Sequence, residues 1–476
     1  MASNGKVMIN LIWKFLERVG AQVVSFIVSI VLARLLMPDA YGTVALITVF
    51  TTVLQVFVDS GLGNALIQKK NTDDIDFSTV FYTNIGFCII LYSLIYLLAP
   101  SIAMFYNKDE LVPLIRVVSI TILISGIRNV QQAYVSKKMM FKKFFFSTLG
   151  GTISAAIIGI VLALNGFGVW ALVAQQLTNL FVSTLILWFV VKWRPKLVFS
   201  FQRLKQLYKY GWKLLASALL DTVYNNCTQL IIGKIYSSGD LAYYNKGKQF
   251  PELIVVNVNS SIDSVLLPAM SEVQDKKEHI KNMTRRSIKM SMYIMAPCMI
   301  GMAAVASNII EILLTNRWAG SVIFMQIFCV VFMFYPIHTA NLNAIKAMGR
   351  SDLFLKLEII KKAIGTILLI ATMFVSVKAM AYSLLVSCFT SQIINVWPNK
   401  KLLDYGYIEQ IKDIYPTLLL AIIMGGGVYL FNFINLPVIV ILLVQIIVAI
   451  FIYIVGSVFS KNESFYYLIG MLKRKR

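Results

Sequence analysis

Apolar runs of about 20 residues recur along the whole chain, and short polar segments separate them. A helix of that length matches the thickness of the hydrocarbon core of a bilayer. The pattern predicts about fourteen transmembrane helices, with no polar block long enough for a soluble domain. The predicted spans are 11–33, 43–66, 79–105, 112–134, 144–164, 169–191, 210–235, 248–269, 288–314, 321–345, 354–376, 379–398, 414–432 and 436–459.

Composition agrees with a membrane protein. Hydrophobic residues make up 58% of the 476-residue chain, and charged residues make up only 14%. A soluble protein of this length would carry more charge to keep its surface hydrated. The first apolar run lacks a small-residue cleavage site, so we expect a retained helix and not a signal peptide. The predicted fold class is an all-α membrane protein.

Basic residues orient the predicted helices. The formal net charge of +22 could indicate nucleic acid binding, but Lys and Arg also accumulate in the cytoplasmic loops of membrane proteins. With the N-terminus inside, 30 of the 44 Lys and Arg residues fall on inner segments and 8 on outer ones. This bias predicts two cytoplasmic termini and no nucleic acid partner. The basic segments near 192–209 and 270–287 are expected to touch the headgroups of anionic membrane lipids.

Two similar segments lie 200 residues apart, namely LARLLMPDAY at 32–41 and IGKIYSSGDLAY at 232–243. Each has a basic residue leaving a helix, then a turn, an aspartate and an aromatic residue. A repeated six-helix unit predicts two lobes related by a pseudo-two-fold axis along the membrane normal, with the substrate path between them. The predicted domains are an N-terminal six-helix lobe at 1–195, a C-terminal six-helix lobe at 196–400, and two extra helices with a basic tail at 401–476.

Five predicted helices carry polar residues at a spacing that puts each set on one face. The sets are Lys14, Arg18, Gln22, Ser25 and Ser29; Thr48, Thr52, Gln55 and Asp59; Thr121, Ser125, Arg128 and Gln132; Lys213, Ser217, Asp221, Asn225 and Thr228; and Glu252, Asn259 and Asp263. Serine and threonine can bond back to their own helix, but a charge at the bilayer centre costs about 2.5–3.5 kcal/mol. We therefore expect Arg18, Asp59, Arg128 and Asp221 to face either a wet cavity or a partner charge.

Signatures of catalysis are absent from the sequence. It contains no phosphate-binding loop motif, no HExxH and no GxSxG. The five cysteines lie inside apolar runs, no CxxC pair occurs, and the chain has only two histidines. We expect no metal site, no cofactor and no enzymatic activity.

Four segments carry a resemblance to a known family. LARLLMPDAYG at 32–42, FVDSGLGNALIQ at 57–68, MMFKK at 139–143 and NGFGVWALVAQQ at 165–176 resemble bacterial polysaccharide exporters. The chain looks like the O-antigen and exopolysaccharide repeat-unit flippases of the multidrug/oligosaccharidyl-lipid/polysaccharide exporter superfamily. That resemblance implies two six-helix lobes with two further helices, and alternating access.

The resemblance also implies a substrate, a location and partners. The substrate would be an undecaprenyl-diphosphate-linked oligosaccharide, a lipid-linked oligosaccharide diphosphate carried to the outer leaflet of the bacterial inner membrane for lipopolysaccharide or exopolysaccharide biosynthesis. A polysaccharide polymerase and a chain-length regulator are the protein partners expected in such a pathway.

A cationic central cavity is a further implication of the resemblance, and the polar stripes offer residues for it. The predicted substrate-binding residues are Arg18, Arg128, Lys213, Gln22, Gln132 and Asn225. The residues predicted to couple transport to an ion are Asp59 and Asp221.

Three alternatives stay open at this point. A drug/cation antiporter of the same superfamily shares the architecture, but its lumen should favour acidic groups. A membrane polysaccharide polymerase or ligase is expected to carry a large external loop, and none occurs between the predicted spans. A peptidoglycan-precursor flippase would differ in its substrate.

Overall fold

The structure is a computed structural model that describes residues 4–59, 61–434 and 436–474. The described residues form helices joined mostly by short turns, with a longer connection at 191–200, and none of them forms a strand. The helices are α1 (Asn4–Leu35), α2 (Pro38–Asp59), α3 (Leu62–Gln68), α4 (Asp74–Tyr106), α5 (Leu111–Val118), α6 (Ile120–Lys137), α7 (Phe141–Leu164), α8 (Val169–Val190), α9 (Phe201–Ile235), α10 (Ser238–Ser271), α11 (Lys277–Ala304), α12 (Ala306–Leu314), α13 (Ser321–Met333), α14 (Tyr335–Ala347), α15 (Ser351–Thr372), α16 (Val377–Leu403), α17 (Tyr407–Tyr429), α18 (Val438–Phe459) and α19 (Glu463–Arg474). Short 3-10 turns occupy Asn316–Trp318 and Leu430–Phe433.

The membrane-spanning helices agree with the hydropathy pattern. Eleven segments within the described ranges are long and apolar enough to cross a membrane. Three other helices, α1, α9 and α15, match predicted spans and have 32, 35 and 22 residues, but they carry more charge. The eleven segments and these three helices account for the fourteen predicted spans. The all-α membrane class is confirmed.

Several helices extend beyond the spans that hydropathy indicates, chiefly on the predicted inner face. Helix α9 begins at Phe201 instead of residue 210, and α11 begins at Lys277 instead of residue 288. The start of α9 is capped, because the Ser200 side chain accepts a hydrogen bond from the backbone N–H of Arg203. Hydropathy marks only the part of a helix that lies in hydrocarbon, whereas these helices continue into more polar sequence.

Contacts within the chain define two compact units, one ending at Ala242 and the other beginning at Tyr243. The first unit includes α9, which packs against α2, α3 and α4. The second includes α17 and α18, which pack against α11 and against each other. The division into lobes at 1–195 and 196–400, with an addition at 401–476, stays a prediction.

The two repeated sequences form matching helix breaks. Helix α1 ends at Leu35 and α2 begins at Pro38, while α9 ends at Ile235 and α10 begins at Ser238. The two breaks touch inside the first unit. A Cβ on Gly42 would lie 1.7 Å from the backbone oxygen of Ser238, so only glycine permits this approach.

Buried amides attach the last two membrane helices to the rest of the second unit. The Asn341 Oδ1 on α14 accepts hydrogen bonds from Asn399 of α16 at 2.7 Å and from Gln410 of α17 at 2.9 Å. The Asn308 Nδ2 on α12 donates to Gln445 of α18 at 2.8 Å. Side-chain hydrogen bonds between helices stabilise packing in a bilayer, where apolar contacts have no solvent-driven advantage.

Candidate functional site

A polar cavity of about 480 Å³ lies within the first unit, between α2, α6 and α8. The polar stripes predicted for two separate helices meet in it. Its lining residues are Thr48, Thr51, Thr52, Gln55, Val56 and Asp59 of α2; Thr121, Ser125, Arg128, Asn129 and Gln132 of α6; and Gln176 and Leu180 of α8. The cavity thus offers mainly hydroxyl and amide groups at membrane depth.

Two amide side chains hold the carboxylate of Asp59. The Gln55 Nε2 donates to the Asp59 Oδ1 at 3.2 Å, and the Asn129 Nδ2 donates to the same oxygen at 2.9 Å. No Lys or Arg nitrogen of the described side chains lies within 4.0 Å of this carboxylate. The two amides orient the Asp59 carboxylate. Its charge has no direct ion pair among those side chains, and a carboxylate in that state is suited to bind a cation or a proton.

Arg128 supplies a cation to the same cavity. The side chain is half-buried, and its Nε has no hydrogen-bond partner among the described residues. The Glu17 carboxylate on α1 acts on Arg128 electrostatically, while its Oε1 accepts a hydrogen bond from the Thr148 hydroxyl at 3.2 Å. A guanidinium carries five N–H donors, so Arg128 retains capacity for an anionic ligand.

The charge of the cavity lining is balanced where the structure describes it. Arg128 and Asp59 are the charged side chains among the lining residues. Predicted cations on two other helices, Arg18 and Lys213, have side chains outside the described part of the chain. A cationic chamber is therefore a prediction that depends on those two side chains.

The remaining predicted residues do not line this cavity. Gln22 on α1 is half-buried and absent from the lining. Asn225 and Asp221 on α9 are exposed, and they too are absent from it. The predictions that Gln22 and Asn225 bind substrate and that Asp221 couples an ion stay untested.

Three polar residues that line the cavity, and one that acts on Arg128 from outside its lining, were not singled out from the sequence: Thr51, Asn129, Gln176 and Glu17. Asn129 lies four positions after Ser125 and three before Gln132, so its helical spacing fits the stripe of α6, but the stripe was drawn through its neighbour Arg128. Gln176 lies in a run of polar residues with Gln175, Thr178 and Asn179, and the sequence does not show which of them faces a cavity. Glu17 follows Lys14 by three positions but lies at the edge of the α1 stripe, on the side away from Gln22. The roles of these residues become visible only when neighbouring helices are placed together.

An ionic cluster joins α4 to the start of α9 on the predicted inner face. Asp76 lies 2.7 Å from the Lys69 Nζ and 3.3 Å from the Arg203 Nη1. Arg203 also donates to Asp73, the residue that caps α4, and this contact holds the pKa of the Asp73 carboxyl below its usual value. The cluster fastens the first turn of α9 to the first turn of α4.

Comparisons with known proteins agree with this architecture. The likeness to the solved structure of the lipid II flippase MurJ in an inward closed conformation has a TM-score of 0.77 and covers 95% of this chain and 99% of that one. The sequence identity is 15%, so this likeness establishes the fold alone.

Sequence relatives are more informative about family. The chain is 25% identical over 314 residues to the succinoglycan biosynthesis transport protein ExoT of Rhizobium meliloti, covering 65% of this chain and 63% of that protein. It is 27% identical over 310 residues to the teichuronic acid biosynthesis protein TuaB of Bacillus subtilis, covering 64% of this chain and 63% of the relative. These alignments thus span less than two thirds of each relative.

The matching family model is described as "Polysaccharide biosynthesis protein" and aligns with residues 31–323. That range includes more than half of the chain, all of the residues that line the polar cavity, and both repeated turns. It confirms the resemblance seen in the sequence motifs. This protein belongs to the polysaccharide biosynthesis protein family.

Proposed function

We propose that this protein is a flippase that moves undecaprenyl-diphosphate-linked oligosaccharide units from the cytoplasmic to the outer leaflet by alternating access. The observation that carries the proposal is the polar cavity between α2, α6 and α8, which holds a guanidinium at membrane depth. Family membership supports a role in polysaccharide biosynthesis, and one relative is named as a transport protein.

The cavity addresses the energetic obstacle to flipping. Moving an ionised diphosphate and polar sugars into hydrocarbon costs tens of kcal/mol by idealised solvation arguments. Hydroxyls and amides in the cavity replace the water that the headgroup loses. A cation at about 4 Å from a phosphate contributes on the order of 4 kcal/mol at an effective dielectric constant of 20. The polyprenyl tail stays in the lipid while the headgroup crosses.

The membrane potential can drive this step without ATP. An anionic headgroup that moves outward across an inside-negative membrane releases about 2.3 kcal/mol per charge and per 100 mV. Transport of a charged headgroup should therefore be faster at a larger potential, whereas transport of an uncharged analogue should not respond.

Vesicles test both the substrate and the driving force. The full chain is reconstituted with a fluorescent lipid-linked oligosaccharide diphosphate, and a membrane-impermeant quencher reports which leaflet holds the headgroup. We expect protein-dependent flipping that accelerates when a potassium-diffusion potential is applied. A matched uncharged lipid-linked sugar is the control, and its flipping rate should not respond to the potential. A rate independent of clamped voltage contradicts the driving force, and absence of protein-dependent flipping contradicts the substrate.

The location and partners form part of the same proposal. The charge bias of the sequence favours the bacterial inner (plasma) membrane with both termini in the cytoplasm, and a polymerase with a chain-length regulator would act on the flipped product. Reporter fusions that are active only in the periplasm should stay inactive at both termini. An active fusion at either end contradicts this topology.

One observation favours a second candidate, a drug/cation antiporter. Asp59 presents a carboxylate in the cavity with amide donors and no ion pair among the described side chains, which suits a cationic ligand as well as a coupling ion. An efflux assay with a cationic dye separates the two candidates. Dye export that is abolished by Asp59→Asn, with no flipping of the lipid-linked diphosphate, supports the antiporter.

A further inference from the structure

The first unit contains a second cavity of about 420 Å³, between α3, α4 and α9, which we name the α4–α9 groove. Leu62, Phe87, Leu204 and Leu215 are among the residues that form its apolar walls. None of its lining residues belongs to the polar cavity. The groove is therefore unsuited to sugars, whose hydroxyls would lose hydrogen bonds against such walls.

The position of the groove assigns it to the membrane interface. It includes the first turns of α9, on the face that the charge bias places in the cytoplasm. At its rim, Phe201 is 72% exposed, Tyr208 is 50% exposed, and Lys205 is also exposed. Aromatic and basic residues together are typical of the headgroup level, and the cytoplasmic leaflet is rich in anionic lipids.

One buried polar group in the groove lacks a partner. Asn84 is only 3% exposed, and its Nδ2 has no hydrogen-bond acceptor among the described residues. The neighbouring Thr83 hydroxyl is engaged, because it donates to the backbone oxygen of Thr79 at 2.8 Å. An unsatisfied buried amide is costly, so a ligand oxygen in the groove would stabilise the protein.

We propose that the α4–α9 groove binds one anionic phospholipid of the cytoplasmic leaflet. An acyl chain lies along the apolar walls, an ester oxygen accepts a hydrogen bond from Asn84, and the phosphate lies beside Lys205. A phospholipid satisfies all three features together, since it combines an aliphatic chain, a carbonyl acceptor and a negative charge at the correct depth. The site is independent of the substrate that the polar cavity carries.

Photolabelling tests the site directly. The full chain is reconstituted in phosphatidylcholine vesicles with a small fraction of phosphatidylglycerol that bears a photoreactive acyl chain, and adducts are mapped by mass spectrometry. We expect labelled peptides from the start of α9 and from α4. Lys205→Gln should reduce this labelling about fivefold, the effect of about one Lys near an anionic surface. Lys281→Gln, on the same predicted face but in the second unit, is the matched control and should change nothing at the groove.

Two further variants test whether the lipid occupies the groove itself. Thr83→Phe fills the groove and should abolish labelling there, while Asn84→Leu removes the amide donor and should reduce labelling. If Thr83→Phe fails to elute as a folded protein in gel filtration, Lys205→Gln and Asn84→Leu decide the outcome. Equal labelling by a photoreactive phosphatidylcholine, or labelling unchanged in both variants, overturns the proposal. Displacement of the label by undecaprenyl diphosphate, but not by excess phosphatidylglycerol, also overturns it.

Discussion

Replacing Arg128 with alanine removes the cation from the described lining of the polar cavity and leaves Asp59 in place. The matched control is Arg128→Lys, which keeps the charge and loses the planar fork of donors. Arg128 is the most informative position to test, because its Nε has no hydrogen-bond partner among the described residues and its side chain is only half-buried.

The magnitude follows from the dielectric around this side chain. A cation at about 4 Å from a phosphate contributes about 1 kcal/mol in bulk water and about 4 kcal/mol at an effective dielectric constant of 20. A half-buried guanidinium in a polar cavity lies between these limits. With about 1.4 kcal/mol per factor of ten, Arg128→Ala should slow flipping about 10- to 100-fold. Arg128→Lys should retain most of the rate, because the charge remains.

The assay is the initial rate of headgroup flipping in vesicles, normalised to the amount of inserted protein. Glu17→Gln is a useful third variant, since Glu17 acts on Arg128 electrostatically and its removal leaves a more positive site. We expect this variant to flip an anionic headgroup at least as fast as the unaltered protein. Wild-type flipping by Arg128→Ala refutes the cavity assignment. Equal losses in the alanine and lysine variants would show that shape at this position matters and charge does not.

Three other perturbations have defined outcomes. Asp59→Asn keeps an acceptor for its amide neighbours but removes the charge, so any dependence of transport on a proton or sodium gradient should disappear, and ion dependence that persists excludes Asp59 as the coupling site. Asn341→Leu removes three side-chain hydrogen bonds to Asn399 and Gln410. Since each such bond contributes about 0.6 kcal/mol, the free energy of unfolding should fall by about 2 kcal/mol and the thermal midpoint by a few degrees. The pKa of Asp73 is lowered in the folded state, so the ionised Asp73 carboxylate stabilises the fold above its unfolded pKa of about 3.9, and this stabilisation is lost as pH falls through the folded pKa. Asp73→Asn should therefore flatten the fall of the thermal midpoint at acid pH. An unchanged slope contradicts the assignment.

The positions of the helices were accessible from the sequence because the bilayer imposes a simple rule on the length of a span. A span needs about 20 apolar residues, and each predicted span corresponds to one helix of the structure or, in four cases, to two consecutive helices. The residues at which the helices begin and end were harder to predict from the sequence. Nine residues of α9 before position 210 are too polar to register as membrane sequence, yet a serine cap at Ser200 starts the helix there.

The candidate site was predictable only in part. Helical spacing correctly grouped Arg128 and Gln132 on α6, and Gln55 and Asp59 on α2, because each group needs only one helix to define it. Asn129 has a helical spacing that fits the same stripe, but its role is defined by the approach of α2 to α6 and by its 2.9 Å contact with Asp59.

By itself, the sequence determined the class of protein, the number and approximate position of its membrane helices, and the family to which it belongs. Those properties are local, because hydropathy, charge and short motifs are read from consecutive residues. Only the tertiary structure decided that the stripes of α2 and α6 share one cavity with α8, that Asp59 is held by two amides, and that an apolar groove with an unsatisfied Asn84 lies against α9. These features depend on which faces of distant helices meet, and packing fixes that choice through contacts that no single stretch of the chain contains.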